Sequence, residues 1–145
     1  GGPTIRKFSQ YDWGYEFNTI RRSVYVPLFR NTLLEVFETF DVANPNVVSG
    51  RRSETILPTQ ALYLMNSPFV NAEAERAGER IIRSGLTDAE RVRMVYRLAL
   101  GREPSAAEAD VVMRFIEESK AGEKSGAWSA LVHSLFGSVD FRHLD

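Results

Sequence analysis

Two arginine pairs, Arg21-Arg22 and Arg51-Arg52, with Arg30 between them, are the residues of this 145-residue sequence best suited to chemistry on a ligand. A guanidinium presents a planar fork that matches carboxylate or phosphate oxygens two at a time, so the set suits an anion or an acidic partner. The competing role is structural: the same forks tie loops to backbone carbonyls or to Glu35, Glu38, Asp41 and Glu54. The sequence favours that role, because such pairs contribute little unless they are buried or networked. Nearby, Tyr11, Trp13, Tyr15 and Phe17 offer rings that can stack on a sugar or a partner. In a segment without helical period, rings more often anchor the chain to an apolar core.

Other polar sets point to structure rather than chemistry. Gln60 and Asn66, with Thr55 and Pro58, bracket a short apolar run, where amides habitually bond the backbone of a tight junction. Arg102 falls in a connector, Gly101-Arg102-Glu103-Pro104, and is expected to bond the carbonyls that end the preceding helix. His133 and His143 lack a carboxylate at helical ligand spacing, so no metal and no cofactor is expected. Glu73, Glu75, Glu117 and Glu118 lie on polar helical faces, and nothing singles out a carboxylate pair in an apolar cleft. The absence of cysteine excludes disulfides, thiolate metal sites, cysteine nucleophiles and a haem attachment signal. No glycine-framed nucleophile turn supports serine hydrolase chemistry, and no catalytic residue is expected.

Composition narrows the partners. Apolar residues make up 43% and charged residues 26%, close to globular averages, and the formal net charge is −1. That balance provides no global field for nucleic acid, so no nucleic-acid partner is expected. No run approaches the ~20 apolar residues of a membrane span, so direct membrane insertion is not expected either. The N-terminus lacks the order of a signal peptide, and the address of an exported parent would lie upstream of Gly1.

The elements that position these residues read as helices. Residues 1–30 form an aromatic, extended lead-in, with Val24 and Val26 alternating weakly and Pro27 limiting the segment to a short edge strand or connector. Leu33, Val36, Phe37 and Phe40 then mark a short helix that stops before Asn44-Pro45-Asn46. Pro58 opens a second, apolar nearly all round through Ala61, Leu62, Leu64 and Met65 and therefore expected to be central. Ser67-Pro68 restarts the chain, Ser67 as the expected cap, into a helix with Val70, Ala74, Ala77 and Ile81 on one face and Gly85 as its stop.

Two reciprocal cap patterns, Thr87 with Glu90 and Ser105 with Glu108, open helices carrying Val92, Val95, Tyr96 and Ala99, then Val111, Val112, Phe115 and Ile116. A last helix spans about 127–137, with Trp128, Leu131, Val132, Leu135 and Phe136. The expected fold is all-α: an irregular bundle of about six helices over 31–145, a single domain with the lead-in, and at most a minor short strand. Composition changes near residue 55, but no boundary is placed there, because Phe37 and Phe40 need cover.

Several stretches carry a family resemblance: GGPT at 1–4, RRSVY at 21–25, Phe40-Asp41 ahead of a polar loop, RRSETILPTQALYLMNSPFV at 51–70, VYRLALGREPSAAE at 95–108 and LFGSVDF at 135–141. In order and over nearly the whole chain, they resemble the planctomycete-specific domain of unknown function. That domain closes many large exported bacterial proteins, often downstream of a companion domain and a planctomycete-type cytochrome c domain. The resemblance implies that the chain is the C-terminal part of such a domain, that Gly1-Gly2-Pro3 is native, and that the parent is exported or periplasmic. It brings no reaction, substrate or catalytic residue.

The function expected is a non-catalytic structural or protein-interaction module whose partner is the upstream part of the same polypeptide, docked on the lead-in and the 21–52 region. One alternative is a module binding carbohydrate or an acidic ligand through the aromatics with Arg22, Arg51 and Arg52. The other is an accessory part of an enzyme completed upstream, lending an arginine or Gln60.

Overall fold

The computed structural model describes residues 22–29, 33–42, 58–119 and 124–142. Trp13, Tyr15, Arg21, Arg30, Arg51 and Arg52 lie outside the described residues. The chain divides into two compact units, 1–56 and 57–145. The division falls at the composition change near residue 55, where the sequence reading placed no boundary.

In the first unit, the stretch expected as an edge strand or connector contains a 3-10 turn, Ser23–Tyr25, flanked by extended backbone at Arg22 and Val26. Two valines two residues apart fit an extended segment or a turn equally well, and Val24 stands exposed. Helix α1 follows at Glu35–Thr39 and buries Phe37. It ends in a Schellman motif: Val42 N–H donates to Phe37 O at 2.9 Å and Asp41 N–H to Glu38 O at 3.4 Å. Asp41 takes the left-handed position with φ 51°, one of the few non-glycine residues that tolerate it.

The second unit consists of α2 (Pro58–Asn66), α3 (Pro68–Ile82), α4 (Asp88–Leu100), α5 (Ala106–Glu118), α6 (Lys124–Gly137) and α7 (Val139–Arg142). All regular elements among the described residues are helical, so the protein is all-α. α7 exceeds the six helices expected. Ser138 interrupts the last run, accepting from Phe141 N–H at 3.2 Å and donating to Leu135 O at 2.6 Å, and thereby ends α6 and caps α7.

The core is built on α6, which buries Ala127, Trp128, Leu131, Val132 and Leu135. Trp128, Ile116 and Val92 are the largest fully buried side chains. An aromatic of this size buries ~150–250 Å², which corresponds to about 4–6 kcal/mol of transfer free energy before ordering costs. α3 packs along α6. They approach closely at Gly78, where an added Cβ would meet the Ser129 hydroxyl and lie 2.8 Å from the Ser129 backbone nitrogen.

Two expectations need correction. α2 is not central: only Leu64 is buried, while Leu62 and Met65 are 56% and 55% exposed. A nine-residue helix that packs on α3 and α6 covers one stripe, whatever the composition of its other sides. Ser67 holds the N-cap position of α3 with Pro68 behind it, but its side chain makes no cap bond. It is buried at the α2–α3 junction, where its backbone N–H closes on Tyr63 O at 2.8 Å and its carbonyl accepts from Asn71 N–H at 3.0 Å.

Candidate functional site

The densest polar constellation among the described residues gathers around Arg102. Its placement begins with local sequence: Gly101 ends α4 in the left-handed conformation, φ 68°, and the connector turns into α5 at the cap Ser105. Glu108 closes the cap box, accepting from Ser105 N–H at 2.7 Å, while Ser105 Oγ accepts from Glu108 N–H at 3.3 Å. The same carboxylate receives Arg102 through two bonds, Nη1 to Oε2 at 2.9 Å and Nη2 to Oε1 at 2.7 Å. Asp140 of α7 accepts from Nη2 at 2.6 Å and from Nε at 3.2 Å, and Glu103 O accepts from Nη1 at 3.1 Å. The guanidinium also lies 5.6 Å from the centroid of the buried Tyr96 ring.

All five guanidinium donors are therefore engaged. The acceptors are two carboxylates and a carbonyl of the connector, not the carbonyls at the end of α4 that the sequence suggested. The guanidinium ties the connector to α5 and α7 and has no free N–H for an external anion.

The electrostatics agree with this role. The hydrogen bonds from Arg102, then those of Ser105, hold the Glu108 carboxyl well below the carboxylate range, at about 2. Bonds to Glu108 and Asp140 hold Arg102 above its ordinary value. Burial, with the Glu108 charge adding to it, pushes the Tyr96 phenol up. A carboxyl at about 2 is ionised throughout the physiological range and has the wrong poise for general acid or base work near neutrality.

Arg91 and His133 also act as ties between helices. Arg91, a residue the sequence reading passed over, donates to Asp88 Oδ1 at 2.7 Å and to Ile82 O at 2.8 Å, binding the start of α4 to the end of α3. Thr87 and Glu90 form the other cap box, and the Thr87 backbone amide draws the Glu90 carboxyl down. His133 Nε2 meets Leu64 O at 3.1 Å and fastens α6 to the end of α2. Asn66 Nδ2 donates to Leu62 O at 2.9 Å within α2. Gln60 sits half-buried in the first turn of α2, and Arg22 stands exposed before the 3-10 turn. Of the arginines proposed as a ligand set, only Arg22 is among the described residues.

No group of three or more His, Asp or Glu side chains that can hold a metal occurs among the described residues. No helix among them is long and apolar enough to cross a membrane. Open grooves also occur among the described residues. One, of about 390 Å³, lies between α4 and the start of α5, over Ala89, Ala109 and Met113, with Glu103 at its edge paired to Arg97. Another, of about 330 Å³, runs between α3 and α4 over α6.

The chain is all-α, and several of its described polar groups, Arg91, Arg102 and His133 among them, hold one helix to the next. Residues 1–116 match the family described as PSD1, a protein of unknown function (DUF1553), and the chain belongs to it. The match takes in the Arg102 connector and the Glu108 cap, whereas α6, with Trp128, and Asp140 follow it. No curated protein and no solved structure gives a significant match.

Proposed function

We propose that the chain is a non-catalytic structural and protein-interaction module of a larger exported protein, docking with the polypeptide upstream of Gly1. The observation that supports it most is the engagement of all five Arg102 donors by internal acceptors. The strongest charge cluster among the described residues is thereby committed to joining helices. Leu62 and Met65 of α2 and Phe69 of α3 are exposed large apolar side chains, of the kind that a covering domain removes from water. Export and the multidomain setting rest on the family resemblance of the sequence stretches quoted above.

The test is a calorimetric titration of this chain with the purified upstream half of the parent, beside fractionation of cells expressing the full protein. Saturable binding and recovery outside the cytoplasm are the expected results. No measurable heat, or a cytoplasmic parent, contradicts the proposal. A thermal-shift screen with sulfated polysaccharides runs in parallel, and saturable stabilisation there would replace this reading with the ligand-binding one.

A further inference from the structure

The groove between α3 and α4 has a lining unlike the Arg102 cluster. Its floor is apolar, with Ala77 and Ile81 from α3, Val95 and Ala99 from α4, and Val132 and Phe136 from α6. Met94 and Leu98, one helical turn apart, form one lip, and Leu98 is 79% exposed. Arg80 and Ser84, the latter just past the end of α3 with its hydroxyl donating to Ile81 O at 2.6 Å, form the other. Arg80 is the sole ionisable side chain of the lining. Unlike Arg76, Arg83, Arg91, Arg97 and Arg102, it has no ion-pair partner among the described residues.

A concave apolar surface of about 330 Å³ with one or two polar groups at its edge has the make-up of a small-ligand site. An unpaired guanidinium opposite an apolar lip selects an occupant with an apolar body and a single anionic end. We infer that this groove binds a free medium-chain acyl carboxylate: the tail lies on Ile81, Val95 and Phe136 under Leu98, and the carboxylate accepts from Arg80. The inference is independent of the docking role proposed above.

The test is an amide-resolved NMR titration of the 1–145 chain with decanoate below its micelle concentration, beside decanol and decyltrimethylammonium. Decanoate is expected to shift amides of the C-terminal half of α3, of 94–99 and of 132–136. Decanol should bind about tenfold more weakly, since the charge-assisted bond is lost, and the cation should not bind. Arg80→Gln, an exposed change that leaves packing intact, should bring decanoate down to the level of decanol. Ala99→Trp, which fills the floor, should abolish both. Equal binding of all three amphiphiles, shifts that persist in Arg80→Gln, shifts scattered over the surface, or no shifts at all would each overturn the assignment. So would displacement of decanoate by the upstream half of the parent without any effect of Arg80→Gln, which would make the groove a peptide site.

Discussion

Replacing Gly78 by alanine sets two physical effects against each other. In an isolated helix, alanine is favoured over glycine by about 1 kcal/mol, because glycine loses more backbone entropy on ordering. At the α3–α6 crossing, however, the new Cβ would meet the Ser129 hydroxyl and lie 2.8 Å from Ser129 N and 3.1 Å from Ser125 O. Two of those three atoms are backbone of α6, which cannot swing aside as a side chain does, so relief requires α3 and α6 to move apart.

Overpacking of this kind costs about 1–3 kcal/mol, and the backbone obstruction places Gly78→Ala toward the upper end. Subtracting the propensity gain leaves a net loss of about 1–2 kcal/mol, or about 3–8 °C in Tm for a chain of this length. The assay is thermal unfolding followed by far-UV circular dichroism, with Gly126→Ala as the reference. Gly126 is exposed in α6 with nothing within 4 Å of an added Cβ, so alanine there should be neutral or stabilising by up to about 1 kcal/mol. Ser129→Ala should rescue Gly78→Ala only in part, since it removes the hydroxyl and leaves the backbone nitrogen. A Gly78→Ala protein as stable as Gly126→Ala would refute the close approach of α3 and α6.

Thr87→Ala and Ser105→Ala each remove a cap and should cost about 1 kcal/mol in denaturant unfolding. Ser105→Ala should be the more damaging of the two, because Glu108 also receives Arg102 and the altered cap loosens that pairing. Glu108 has a folded pKa of about 2 against an ordinary 4.5, so its contribution is complete above about 4.5 and is lost as pH falls toward 2. Denaturant midpoints measured from pH 7 to pH 2 should therefore fall more steeply for the parent chain than for Glu108→Gln, and parallel curves would contradict the assignment. His133→Ala should weaken the hold of α6 on α2, seen as faster hydrogen exchange at 61–66 with little change in α4 or α5.

Helices with local signatures were readable from sequence. The reciprocal caps at Thr87 and Ser105 depend on residues three positions apart, and both form as the spacing requires. The glycine stop read at Gly85 also depends only on local backbone, and Gly85 takes positive φ; Gly101, read only as part of a connector, does so too and ends α4. What escaped the sequence is what depends on neighbours distant in the chain. The apolar composition of α2 suggested a central helix, yet burial is set by which helices reach it, and α6 takes that place instead.

Arg102 shows the same division. Its position between two helices was legible, and so was Glu108 as a cap, but its junction with Asp140, 38 residues away, has no local signal. Arg91 was passed over although Asp88 is its i,i+3 neighbour on α4; its second acceptor, Ile82 O, comes within reach only once α3 and α4 turn on each other. The last helix was read to end at 137, as α6 does, but α7 was not expected; the Ser138 hydroxyl closes α6 and caps α7. The arginine pairs and the aromatic lead-in, the residues that first suggested a ligand, fall mostly outside the described residues.

Native-state hydrogen exchange of the 1–145 chain, resolved amide by amide, reads the central proposition directly: that α6, with Trp128 enclosed, is the element around which the 57–145 unit is built. The slowest exchange should lie at 128–135 of α6 and at the facing 74–81 of α3, opening together with the full unfolding free energy, while α2 and α7 open at lower cost. Exchange through 128–135 as fast as that of α2, or protection centred on α5 with α6 opening first, would contradict it.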